Sequence, residues 1–338
     1  MRAQFAAIFS VAALVFLGAP GSLMSADFPG ESWERTSAID AGLDEKQLIA
    51  ARDYALTGEG SGYITRAGKL VMSWGDPKKI YDLKSTTKSF GAAALGLAVT
   101  DGKIRLDDKA ATYHSTFGTP PESNREKNWL TDITIFHLAT QTAGFEKPGG
   151  YEPLTFAPGT RWSYSDGGPN WLAECLTHIY ARDLNELMFE RLFTPIGIKE
   201  EDLRWRKNAY RPEFIETKSG PVKRREFGAG INANVDAMAR FGYLHLRQGE
   251  WNGRRILDKD FIGQARVVPA EVRGLPVNKP EEYGKASSHY GFLWWNNADG
   301  TLAHVPRDAY WSWGLYDSLT LIIPVSYTHL TLPTILRV

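Results

Sequence analysis

Two hydrophobic periods alternate along this chain, and the switches between them mark its elements. Leu43 to Leu56 repeats apolar residues at helical spacing, with Asp44 and Glu45 at the end where a helix dipole favours acids. Gly62 to Trp74 carries strand signals on both sides of Ala67-Gly68, which reads as two strands and a turn. Phe90 to Val99 is apolar throughout, the pattern of a helix buried on nearly all sides, and Asp101-Gly102-Lys103 stops it. From Ile104 to Leu203 the chain reads as short helices and loops, including Ile133 to Thr140 and one or two helices in Trp171 to Phe193. Strand signals return near Gly228 to Ile231, Ala237 to Arg247 is an amphipathic helix, and Asn252-Gly253 marks a hairpin turn. Tyr290 to Trp295, Leu302 to Val305 and Leu319 to Ile323 read as strands.

This order, mixed α/β, then mostly α, then mixed again, predicts an α/β (α+β) fold. An antiparallel sheet flanked by helices is built from both ends of the chain, residues 27–103 and 205–324, with a mostly helical domain, residues 104–204, inserted. Residues 1–26 have the layout of a secretory signal peptide: Met1-Arg2, an apolar run from Phe5 to Leu17, then small residues. That run is too short to span a membrane comfortably, so the expectation is an exported protein, periplasmic or extracellular, with no stable membrane insertion after cleavage.

Composition narrows the function classes. Lys+Arg and Asp+Glu are both 39, so nothing in the net charge points to nucleic acid or an anionic membrane as partner. With one cysteine, Cys175, no internal disulfide can form, and its apolar surroundings suit an inert thiol. The seven histidines lack short paired spacing, which argues against a metal site, and no glycine-rich phosphate loop is present, so no cofactor is expected.

Three local patterns could carry chemistry. Ser85 and Lys88 are one helical turn apart, so a lysine made basic by burial could take the serine's proton. Taken alone the pattern is weak, since a chain of this length holds about one such match by chance, and a capping serine beside a solvated lysine is the bland reading. Tyr164 and Asp166 follow the turn Pro158-Gly159; a phenol can relay protons and Asp166 could hold the lysine ammonium, although a packed tyrosine is as good a reading of that motif in isolation. Tyr310-Trp311-Ser312-Trp313-Gly314 enters a strand, where a backbone N–H beside a cleft can face an oxyanion.

Taken together and in this order, the three patterns resemble the serine β-lactamase-like and penicillin-binding-protein superfamily, including the class C β-lactamase-related hydrolases. Ser85-Thr86-Thr87-Lys88 matches its Ser-x-x-Lys, and Tyr164-Ser165-Asp166 is similar to its Tyr-x-Asn with Asp for Asn. Gln141-Thr142-Ala143-Gly144, Val99 to Asp108 and Gly228 to Leu257 also look familial. The resemblance implies an acyl-enzyme serine hydrolase: Ser85 as nucleophile, Lys88 and Tyr164 sharing proton transfers, Asp166 orienting Lys88, and the N–H groups of Ser85 and Ser312 forming the oxyanion hole, with Trp311, Trp313 and Gly314 on the substrate strand.

Two departures shape the expectation. The family's Lys-Thr-Gly falls at Ala309-Tyr310-Trp311, so the lysine that anchors a substrate carboxylate is missing unless Arg307 replaces it. This favours an ester or amide of a small molecule or short peptide, in a cleft lined by Trp311 and Trp313, over β-lactamase or D-Ala peptidase activity. A non-catalytic penicillin-binding-like sensor is the alternative from another class. The second departure is residues 325–338, which read like a translated sequencing-adapter sequence rather than the family's closing strand and helix, and are expected to be a non-native tail.

Overall fold

The computed structural model describes residues 28–332; the signal-like segment 1–26 and the end of the tail lie outside them. Helix α1 (Glu45–Leu56) starts where expected, because the Asp44 carboxylate accepts from the Lys46 and Gln47 N–H groups at 2.8 and 3.1 Å. Strands β1 (Gly62–Arg66) and β2 (Lys69–Trp74) form a hairpin across Ala67-Gly68, both at positive φ. A short strand β3 (Tyr81–Asp82) leads into helix α2 (Thr87–Thr100), buried along almost its whole length as its unbroken apolar sequence requires. Helix α3 (Ile135–Ala139) carries a capping box between Thr134 and His137. Helix α4 (Gly167–Tyr180) follows the Tyr164 loop. Strands β4 (Leu203–Trp205) and β5 (Ile231–Ala233) join β3 in a three-stranded sheet with β5 in the middle, and helix α5 (Val235–Leu246) starts at an Asn234 cap.

The main sheet is completed by β6 (Trp295–Asn296), β7 (Tyr310–Gly314), β8 (Ser318–Ile323) and β9 (Thr328–Leu332), in the order β6-β7-β8-β9-β1-β2, with every neighbouring pair antiparallel. The fold is thus mixed α/β with the sheet drawn from both ends of the described chain. One buried cluster packs α2, α4 and α5 with Tyr310 and Ile322 and runs on into the helical stretch. A second gathers Leu48 of α1 with Ile64, Trp311, Leu319 and Leu321.

Two strand expectations are corrected. Leu302 to Val305 is a turn: Leu302 and Val305 are buried three apart, and the Asn297 amide donates to both of their carbonyls, at 3.0 and 2.7 Å. Tyr290 to Trp295 folds back on itself instead of extending, with Gly291 N–H bonded to Trp294 O (2.8 Å) and Leu293 at positive φ, so only Trp295–Asn296 joins the sheet. The stretch read from sequence as a non-native tail contributes β9, which hydrogen-bonds β8 on one edge and β1 on the other. Its His329 is fully buried, 2.7 Å from Thr65 Oγ1 and stacked on Tyr243.

Candidate active site

Ser85 is presented by a tight turn, not by regular helix. A 3₁₀ turn over Lys84–Thr86 precedes α2, and Lys84 takes φ 50°, a costly conformation for a lysine. Asp82 holds Lys84 in place, accepting from its backbone N–H at 3.0 Å and its ammonium at 2.7 Å. Leu83 N–H bonds Ile231 O of β5 (2.9 Å), and Thr86 Oγ1 donates to Ser318 O (2.7 Å), so the turn is pinned between both sheets. Gly314 explains how closely β7 approaches: a Cβ there would lie 2.2 Å from Leu83 O.

Lys88, one turn on, is 1% exposed. Its Nζ donates to Ser85 Oγ (3.1 Å), to Gly228 O (2.8 Å) and to the Asp166 carboxylate. Three acceptors match the three N–H bonds of an ammonium. Asp166 stands at the N-cap of α4, yet its side chain makes no capping bond and turns to Lys88 instead; Ser165 Oγ accepts from Gly168 N–H at 3.2 Å. The helix N-terminus favours the carboxylate there. A Cβ at Gly228 would meet Asp166 Cβ at 2.7 Å, so only glycine lets that carbonyl reach Lys88 beside Asp166.

Tyr164 completes the group. It shares a hydrogen bond with Ser85, and its ring centroid is 4.7 Å from Lys88 Nζ and 4.9 Å from Lys147 Nζ. Burial pushes its phenol far above the ordinary value, and the Asp166 charge adds to this against the pull of the Ser85 bond. The phenol therefore carries its proton at neutral pH. Gln141 clamps this loop, donating from Nε2 to Ser165 O and accepting from Ser165 N–H, both at 3.0 Å. Sequence reasoning marked Gln141 only as part of a familiar segment, and it missed the Gly228 carbonyl altogether.

The β7 residues separate. Asn297 N–H bonds Ala309 O (2.9 Å), which turns Ala309, Trp311 and Trp313 toward the β6 side; Ala67 N–H to Tyr327 O (3.0 Å) fixes the same parity from the other end of the sheet. The Ser312 N–H therefore faces Thr320 of β8, and its hydroxyl accepts from Thr86 Oγ1 (3.3 Å) and Thr320 N–H (3.1 Å). This corrects the expected oxyanion donor: the β7 N–H directed beyond the end of β6 belongs to Trp313. Trp311 is corrected too. It is 2% exposed, opposite Trp295 and Leu321 in the second core, and lines no cleft. Trp313 stays half-buried, 6.0 Å from Trp295, and Trp295 and Tyr283 stack on Tyr164 at 5.8 and 5.4 Å. The aromatic wall is thus Tyr164, Tyr283, Trp295 and Trp313. Arg307 is exposed and donates to Ala298 O (3.2 Å), and the Ala309-Tyr310-Trp311 positions are buried. Among the described residues no three His, Cys, Asp or Glu side chains converge so as to hold a metal ion, and no helix is long and apolar enough to cross a membrane.

Comparison with known proteins agrees with this architecture. The Beta-lactamase family model matches residues 60–326. A lovastatin esterase of Penicillium rubens is 27% identical over 254 residues, covering 61% of each chain. A D-aminopeptidase of Brucella anthropi is 28% identical over 169 residues, 43% of this chain and 32% of that protein. A penicillin-binding-protein homologue from Caulobacter crescentus superposes with a TM-score of 0.63 at 16% identity, over 85% of this chain and 91% of that one, and shows the same fold. The chain spans between about a third and three fifths of the length of such curated relatives.

Proposed function

This chain belongs to the Beta-lactamase family, and from that premise we propose that it is a serine hydrolase acting through an acyl-enzyme on an ester or amide of a small molecule or short peptide. The observation that carries the reading is the buried Lys88 Nζ held 3.1 Å from the Oγ of half-buried Ser85, which also meets Tyr164. In this mechanism Ser85 Oγ attacks the carbonyl carbon and the carbonyl oxygen takes the electron pair. The N–H groups of Ser85 and Trp313 stabilise that oxyanion. Lys88 manages the serine's proton, and the Tyr164 phenol, protonated at rest, protonates the leaving group and recovers a proton from the water that releases the acyl group. The aromatic wall favours an apolar acyl or alcohol portion.

The buried, uncharged Ala309-Tyr310-Trp311 positions favour an esterase or amidase over a β-lactamase or D-Ala peptidase, whose substrates carry a carboxylate at that end. The signal-like composition of residues 1–26 supports export. The test is labelling by a fluorophosphonate followed by turnover of p-nitrophenyl esters. Ser85→Ala is expected to lose the label and at least about 1,000-fold of kcat/KM. Label on Ser85 without turnover would favour a penicillin-binding-like sensor, and label elsewhere would sink the nucleophile assignment.

A further inference from the structure

Lys88 poses a difficulty for any reading in which it simply removes the proton of Ser85. Its three hydrogens are directed at Ser85 Oγ, Gly228 O and Asp166, and its side chain is closed off from solvent. An amine in that state has no lone pair to offer. Tyr164, the other group on Ser85, is a protonated phenol. The group in this connected set whose oxygen can take up a proton is the carboxyl of Asp166, which Lys88 also touches.

We propose that Asp166 is the terminal proton acceptor of acylation, not only a clamp on the lysine. As Ser85 Oγ forms its bond to the carbonyl carbon, its proton moves to Lys88 Nζ while Lys88 passes one of its own to Asp166 Oδ1. The π pair of the carbonyl moves onto oxygen. Lys88 remains an ammonium, Asp166 becomes a neutral carboxylic acid, and the negative charge has moved from Asp166 to the oxyanion. The reverse transfer serves deacylation, when the carboxylic acid returns the proton through Lys88 to Ser85 Oγ as the bond from Oγ to the acyl carbon breaks. A carboxamide at this position, as in the family pattern, can accept a hydrogen bond from Lys88 but cannot take up a proton near neutral pH.

The surroundings suit a carboxylate that changes its charge. Its side chain is about one-fifth exposed, against 2% for Lys88. Lys88 touches it, and Lys147 lies near enough to interact with it. Glu226 is a second nearby acid: it is fully buried, and burial pushes its carboxyl up to about 7, with Arg206 pulling it down and the Asp166 charge adding to the rise. The phenols of Tyr164, Tyr283 and Tyr290 are raised mainly by burial, with Asp166 adding to each and Glu282 adding more than Asp166 at Tyr283, so they stay neutral throughout. The motion required is small because the acceptors of Lys88 are already in place.

This inference rests on the acyl-enzyme reading, and the two are tested separately. The experiment is the pH profile of kcat/KM for p-nitrophenyl acetate, whose leaving group needs no proton, for the full chain and for Ser85→Ala and Asp166→Asn. Retained hydrolysis in Ser85→Ala defeats the acyl-enzyme reading itself. With Ser85 essential, Asp166→Asn is expected to lower kcat/KM at pH 7 about 100-fold, the scale of one general-base contribution. Its acid limb should move, because the group that takes up the proton has been removed. An unmoved limb, whether the rate is unchanged or lowered equally at every pH, overturns the proposal and leaves Asp166 as a positioning residue. Should Asp166→Asn fail to fold, the solvent isotope dependence of kcat/KM in the unaltered protein decides. A curved response to deuterium fraction means two protons in flight and supports the relay, whereas a straight line overturns it.

Discussion

At the residue scale the decisive geometry is the approach of β7 to the Ser85 turn. Gly314 permits it, because the atoms a Cβ would strike, Leu83 O at 2.2 Å and Thr86 N at 3.1 Å, are backbone and cannot rotate aside. Gly314→Ala must push the strand off the turn. The expected result is a stability loss of about 1–3 kcal/mol from overpacking and a fall of about 100-fold in kcat/KM from misplacing the Trp313 N–H against Ser85. Thermal melts and p-nitrophenyl ester kinetics measure the two effects, and wild-type kinetics in Gly314→Ala would refute this account of the oxyanion side. The residues of the site were legible in the sequence to different depths. Ser85 and Lys88 are three apart, so their spacing allowed the contact the structure shows at 3.1 Å, and the neighbouring motifs singled it out. Asp166 was legible as a partner because it follows Tyr164 so closely. The division of labour between Ser312 and Trp313 was not, because it depends on the parity of β7 in a ladder whose register is set by β6 and β8. Trp311 looked like a cleft residue for the same reason: its burial follows from where β6 ends.

At the element scale, helix α4 carries Asp166 at its start and a buried charge cluster further along. Glu174 is 1% exposed and bonded to Arg211 (2.8 Å), Arg224 (3.1 Å) and His114 (2.9 Å), which ties the helix to residues 211–224 and to the loop at His114. Burial alone would raise its carboxyl, but the His114 bond and the two guanidinium charges outweigh this and hold it at about 2. A carboxyl lower in the folded state than in the unfolded chain stabilises the fold at pH above its unfolded value, here 4.5. That contribution, about 3 kcal/mol at its full extent, is lost as pH falls from 4.5 toward 2. Denaturant melts from pH 6 to pH 3 should show stability dropping below pH 4.5, and Glu174→Gln should flatten this step while lowering stability at pH 6. An identical acid slope in the variant would remove Glu174 from the account. Elements with a continuous pattern, α1, α2, α5 and the β1–β2 hairpin, were legible in the sequence. The misread ones were short: Leu302 to Val305 pairs apolar residues at a spacing that suits a turn as well as a strand, and the Asn297 amide decides between them.

At the scale of the whole molecule, the sheet depends on β9. Without it β8 and β1 have no partner between them, two edges are left bare, and Thr65, Tyr243 and Trp33 lose the buried His329 ring. A chain ending at Ser326 is expected to lose its cooperative melt or to aggregate, as followed by circular dichroism and size-exclusion chromatography. A truncated chain that melts like the full one would show that β9 is dispensable. The overall α/β order was legible because strand and helix patterns alternate on a coarse scale. The place of β9 was not, because Thr328–Leu332 mixes threonine, histidine and leucine without strict alternation, and only the gap between β8 and β1 selects its position.

That gap also sets a timetable. Thr65 and His329 touch across 264 positions of sequence, so the two halves of the sheet wait for each other while the chain between them is made, roughly 15–50 s at ordinary elongation rates. Until β9 emerges, β1 and β2 have only each other in the main sheet, and the slow, nonlocal pairing that closes the sheet comes after both of the halves it joins. A segment ending before residue 328 therefore keeps β8 and β1 apart, each with an unpaired edge.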